Sequence, residues 1–253
     1  MKKVFRFSFA RPEQFHALGR RKLAAFSGCE LPGELLTDDL RLAASPDFYC
    51  GVRDLAAPQL ARLIPYENLI MRSEFSRFFA KRCRTAAKVG ATYVTADFDL
   101  AHALGNAGMR QKLQLFLKGL FGILAENHLM LLVPVRLPAV ADGVSAREIR
   151  DFCRTLLYPG IGIFLDFHPH EPGAFDFAGT LRELRFDAQY WRIFFEPERS
   201  NQLTVPLLEK LFAALEETET RQVEISIAPG NTIPDSVALA SLSETIAHFT
   251  EEA

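Results

Sequence analysis

The stretch Pro159–His170, PGIGIFLDFHPH, decides the fold. From Gly160 to Leu165 it is apolar without polar alternation, which suits a parallel strand covered on both faces. In a strand over Ile161–Phe167, side chains alternate between faces, so Gly162, Phe164, Asp166 and His168 share one face while Leu165 and Phe167 take the other. A carboxylate and an imidazole thus arrive at the carboxyl end of a parallel strand, where α/β folds keep their chemistry. The competing reading makes Asp166 a cap of the next turn and His168 a packed loop residue.

Working outward, strand-like and helix-like segments alternate along the chain. Further strands are expected at Val4–Phe9, Thr92–Phe98, Leu129–Arg136, Tyr190–Phe195 and Val223–Ala228. Helical period and composition mark Met71–Val89, Met109–Asn127, Ser145–Leu157, Ala174–Arg185, Val205–Thr218 and a closing helix over Ile233–Phe249. Pro206 fits the first turn of its helix. Pro134 removes a ladder donor and predicts a bulge or an early strand end. Between residues 10 and 66 two more strands are needed, from Lys22–Phe26, Phe48–Val52 and Arg62–Pro65. Strands separated by single helices form right-handed parallel units, and eight of them close a (β/α)8 barrel, a single TIM-barrel domain over 1–253.

Composition narrows the function classes. Of 253 residues, 49% are hydrophobic and 24% charged, as in ordinary globular enzymes, and 22 phenylalanines give the core aromatic volume. A net charge of −2 argues against a nucleic-acid partner, which would need a basic face. Cys29, Cys50, Cys83 and Cys153 lie far apart without a CxxC pair, which points to reduced thiols and a cytoplasmic location. The amino-terminal apolar run is short and interrupted by Arg6, and no segment reaches membrane-spanning length, so no membrane partner is expected.

Four segments in order carry a resemblance: IPYENL at Ile64–Leu69, CRTAAKVGATYV at Cys83–Val94, FLKGLFGILAENHLMLLVPV at Phe116–Val135, and PGIGIFLDFHPH. Together they resemble the sugar phosphate isomerase/epimerase family, the xylose-isomerase-like TIM barrels. The resemblance implies a small-molecule carbohydrate substrate. It also implies one divalent cation such as Mn or Mg, held by Glu, Asp, His and Glu from the last four strands. Only Asp166 falls on such a position. Pro134, Val135 and Arg136 stand where the fifth strand should offer Glu; Arg192 or Phe194 replaces the seventh-strand His; Ile227 and Ala228 end the eighth. His168 follows Asp166 by two residues, whereas the family's substrate-contacting His follows by three, at the place of Pro169. A metal site reduced to one ligand loses most of its affinity, so no metal or other cofactor is expected.

Strand parity gives the inward polar set: Arg6 and Ser8, then Thr95, Asp97 and Asp99, then Arg136, Asp166, His168, Arg192, Glu196, Glu224 and Ser226. Guanidinium groups bind carboxylate and phosphate in bidentate fashion. One reading is a metal-free site on a sugar or sugar acid. In it Asp166 and Glu196 exchange protons and His168 contacts a hydroxyl. Arg136 holds an anionic group, with Asp97, Arg192 and His170 lining the site. A second is a non-catalytic relative that binds a carbohydrate or a partner protein, its barrel plugged by ion pairs. A third is a metal enzyme using Asp97, Asp166, His168 and Glu196.

Overall fold

The computed structural model describes residues 1–18, 23, 25–37, 49–137, 146–168, 176–184, 189–194, 205–229 and 233–250. Eight parallel strands close into one barrel in sequence order: β1 Lys2–Ser8, β2 Gly28–Pro32, β3 Tyr49–Arg53, β4 Ala91–Thr95, β5 Met130–Leu137, β6 Ile161–Phe167, β7 Tyr190–Phe194 and β8 Gln222–Ala228, with β8 pairing back onto β1. Around them run α1 Pro12–Leu18, α2 Pro58–Leu63, α3 Leu69–Lys88, α4 Leu100–Leu104, α5 Ala107–Gly119, α6 Phe121–Glu126, α7 Ala146–Thr155, α8 Phe177–Leu184, α9 Val205–Glu217 and α10 Ser236–Thr250. The outward strand positions, among them Phe5, Phe7, Val94, Leu165, Phe167, Trp191 and Ile225, pack under the helices in one buried apolar layer. Alternation leaves the intervening positions inside the barrel.

Three sequence expectations are corrected. Of the three candidates for β2 and β3, only Phe48–Val52 marks a strand. Arg62–Pro65 straddles α2 and the 3₁₀ turn Ile64–Tyr66, and the described part of Lys22–Phe26 forms no strand. The true β2 is GCELP, too short and too poor in β-branched residues to read as a strand on its own. The long helix over Met109–Asn127 is two helices, α5 and α6, meeting at Leu120. Pro134 neither bulges nor ends β5, whose register with β6 runs unbroken from Leu131 to Leu137. Leu131 donates its backbone N–H to Gly160 on the β6 side. By alternation position 134 therefore faces β4, whose pairing with β5 has ended at Leu132. The missing donor falls where there is no acceptor to lose.

Inside the barrel, close packing is set by a glycine. A Cβ on Gly51 of β3 would collide with the ring of Tyr93 on β4. Gly51→Val should cost about 1–3 kcal/mol by over-packing. Chemical denaturation will measure this, and an unchanged midpoint would mean that the Tyr93 ring does not occupy that space. The four cysteines are buried and none is in a disulfide. Among the described residues no helix is long and apolar enough to cross a membrane.

Candidate functional site at the carboxyl end of the barrel

The barrel interior has an apolar floor. Tyr93, Leu132 and Phe164 are fully buried and packed with Met130 and Tyr190. Directly above lie charges. Arg192, two residues after Tyr190 on β7, is 1% exposed, and its guanidinium bridges two strands. Its Nε and Nη2 donate to Glu30 Oε2 and Oε1 at 3.0 and 2.6 Å. Its Nη1 donates to both oxygens of Asp166, at 2.9 and 3.1 Å. The guanidinium carbon also sits 4.6 Å from the Phe164 ring centroid, a cation–π contact. Ser8 donates to Glu30 Oε2 at 2.5 Å, and the Tyr93 hydroxyl donates to Oε1 at 3.4 Å. A second buried ion pair joins Arg6 of β1 to Glu224 of β8.

The two carboxylates on Arg192 are not equivalent. Burial alone would raise Glu30. Arg192, through its charge and its two hydrogen bonds, outweighs that with help from Arg53 and Ser8, and holds the group below the usual range. Asp166 receives a single nitrogen shared between its oxygens. Burial therefore prevails, helped by the neighbouring negative charge of Glu30 and Asp54, and pushes Asp166 up to about 6 despite Arg192 and Arg53. Burial would lower Arg192, but Asp166 and Glu30 raise it well beyond an ordinary arginine. Glu30 is thus a fixed anion in the wall. Asp166 is ionised at neutral pH yet takes up a proton in mild acid, and its side chain is 10% exposed where that of Glu30 is 0%.

A rim sits over this layer. Arg53, the last residue of β3, donates from Nε to Asp54 at 3.1 Å, and its guanidinium carbon lies 5.5 Å from the Phe194 ring centroid. The His168 ring stacks on Phe194 with centroids 4.0 Å apart and planes 7° from parallel. Asp54 has a left-handed backbone, φ 51°, and its N–H is held by Thr95 Oγ1 at 3.0 Å. This fixes the turn that presents Arg53.

The structure brings Asp166, Arg192 and His168 together and separates others. Arg192 does not stand open to a ligand: it is locked between Glu30 and Asp166. Asp97 lies past the end of β4 and is held by Arg62, at 2.5 Å from Nη2 and 3.2 Å from Nε. Arg136 is in register with Asp166 but exposed, and among the described residues it has no ion-pair partner. The guanidinium on Asp166 is that of Arg192, on the neighbouring strand β7. Glu196 and His170 lie outside the described residues. Glu30 and Arg53 were missed because β2 and the end of β3 were misplaced, whereas Tyr93 was passed over on a strand that was read. Tyr93, two residues before the inward Thr95, was legible by parity.

The divalent cation implied by the resemblance can be tested against these residues. Both oxygens of Asp166 face a guanidinium, and Arg192 itself stands on the strand expected to supply a neutral imidazole. Among the described residues no three carboxylate, His or Cys side chains converge. These residues do not fit a dication.

No protein-family model and no curated protein matches the chain. Solved structures do. A D-psicose 3-epimerase in the presence of D-fructose superposes with a TM-score of 0.69 at 12% identity, covering 100% of each chain. A 3-keto-D-glucoside 4-epimerase from E. coli gives 0.62 at 15%, over 97% of this chain and 98% of that one. A xylose isomerase domain protein from Planctomyces limnophilus gives 0.62 at 13%, over 99% and 96%. The chain is therefore a closed (β/α)8 barrel with the fold of sugar epimerases and xylose-isomerase-like proteins.

Proposed function

We propose that this barrel binds a sugar or sugar acid at its carboxyl end and catalyses isomerisation or epimerisation there without a divalent metal, in the cytoplasm. The observation that carries the reading is Asp166. It is the carboxylate of the interior network that reaches the mouth, and burial sets it near 6, where a group can both accept and return a proton at neutral pH. Asp166 takes the proton from the carbon next to a sugar carbonyl. Arg192 orients the carboxylate, and the His168–Phe194 stack offers a flat, partly apolar surface to the sugar ring. Glu196, two positions after β7 in the sequence, is the second carboxylate of the proposed proton exchange.

A non-catalytic sugar-binding barrel is the second reading, favoured by the hold of Arg192 on both oxygens of Asp166. Incubating chelator-treated protein with ketohexoses and sugar acids in deuterated water separates the two. Proton transfer places deuterium on the carbon next to the carbonyl, visible by NMR, and Asp166→Asn should reduce it by about 10²–10⁴-fold. Sugar binding without deuterium incorporation supports the second reading. Incorporation that requires added Mn or Mg sinks the metal-free mechanism.

A further inference from the structure

Two carboxylates compete for Arg192, and they do not hold it in the same way. Glu30 takes the whole side-on edge, with Nε on Oε2 at 3.0 Å and Nη2 on Oε1 at 2.6 Å. This is the two-point geometry in which a guanidinium binds a carboxylate most strongly. Asp166 has both of its oxygens on Nη1 alone, at 2.9 and 3.1 Å. The Nη2 nitrogen that would complete a fork onto Asp166 is drawn to Glu30.

Glu30 can act on a substrate only through Arg192. Its side chain has no exposure, and each of its oxygens already receives two donors. Oε1 takes Nη2 and the Tyr93 hydroxyl, and Oε2 takes Nε and the Ser8 hydroxyl. A carboxylate so enclosed and so fully bonded is no general base. The other charges facing Asp166 do not offset its loss of the fork. Arg53 and Asp54, at the end of β3, are bonded to each other and act on Asp166 in opposite senses. Arg136, in register on β5, is exposed. His168, two positions along the same strand, is stacked on Phe194.

We infer that Glu30 is a positioning residue for Asp166: by holding the Nε–Nη2 edge of Arg192 it denies Asp166 the paired fork, and so keeps that carboxylate reactive toward a substrate carbon. This deepens the proposed function and rests on it for the use made of that reactivity. The grip of Glu30 on Arg192, and its effect on Asp166, are measurable without turnover.

NMR of the aspartate carboxyl carbons, with Asp166→Asn to assign the signal, gives the titration midpoint of Asp166 directly. Glu30→Gln removes the neighbouring negative charge that favours protonation of Asp166 and frees Arg192 to turn its fork toward it. Both effects act in one direction, and the midpoint should fall by about one pH unit or more. In the deuterium exchange experiment the acid limb of the rate profile should move down by the same amount, and the plateau rate should drop, as expected of a weaker base. A merely structural loss would lower the rate without moving the limb. Glu30→Asp keeps the charge but is too short for the full side-on grip, so its midpoint should lie between those of wild type and Glu30→Gln. The inference is overturned if Glu30→Gln titrates at or above wild type. Where Glu30→Gln does not fold, a Glu30→Asp midpoint at or above wild type overturns it. If wild-type protein exchanges no deuterium yet the midpoint falls in Glu30→Gln, the proton-transfer reading fails and the control of Asp166 by Glu30 stands. If exchange occurs and its pH profile is the same in both proteins, this inference fails and the proton-transfer reading stands.

Discussion

Arg192→Met will lower the stability of the barrel by about 3–5 kcal/mol. The loss comes less from a missing attraction than from what is left behind. Glu30 has no side-chain exposure and Asp166 has 10%, so both would remain as buried carboxylates with no counter-charge between them. Each would have to bind a proton or admit water. Adding Glu30→Gln and Asp166→Asn to Arg192→Met removes the stranded charges and should restore most of the loss, as expected when a buried ion pair is worth little net but is costly to break. Urea titration of the single and triple variants gives both numbers. A single variant that unfolds at the wild-type midpoint would show that Arg192 does not pair inside the barrel.

Asp166→Asn should do the opposite to stability and depends on pH. Folding pushes this carboxyl up to about 6, whereas an unfolded aspartate titrates near ~3.9. Between those limits the folded protein holds a proton that the unfolded chain has released. The ionised group therefore costs stability above about pH 6, and that cost is relieved as pH falls toward about 4. Asparagine carries no such cost, so the variant should be more stable than wild type at about pH 7.5, by on the order of 2–3 kcal/mol, with the gap closing at about pH 4.5. Glu30 works in the reverse sense. Held low by Arg192, it stabilises both proteins above its ordinary range and loses that contribution in stronger acid, so it cancels in the comparison. A more stable variant that no longer exchanges deuterium would mark Asp166 as a group kept for function at a cost to folding. A variant less stable than wild type at neutral pH would instead make Asp166 a structural plug.

The architecture was legible because β6 is continuous in its apolar character and ends in charged residues. The strand Ile161–Phe167 has the bounds read from sequence. Parity then placed Arg6, Ser8, Asp166, Arg192, Glu224 and Ser226 inside correctly, since a parallel barrel allows no other face for a buried polar residue. What failed was β2. GCELP carries a glutamate and a proline in five residues, and only the partners waiting across the barrel, Ser8, Tyr93 and Arg192, make that glutamate an interior residue. The site inherited the error: without Glu30, Arg192 looked free to line a ligand site. Residues that depend on a distant acceptor are invisible to local pattern.

The bond from Arg192 to Glu30 spans 162 positions of chain, and this bears on the order in which the barrel assembles. A nascent chain that has made β1 to β4 holds Glu30 but not its cation. The carboxylate must stay hydrated, so the inner surface of that half stays wet. Only when β7 arrives can the charge be sealed and the water expelled. Contacts of such long sequence separation form late and slow the search. Closure of this barrel should therefore be cooperative, read as one urea transition shared by probes in both halves, with the charged centre a latch that the complete ring engages.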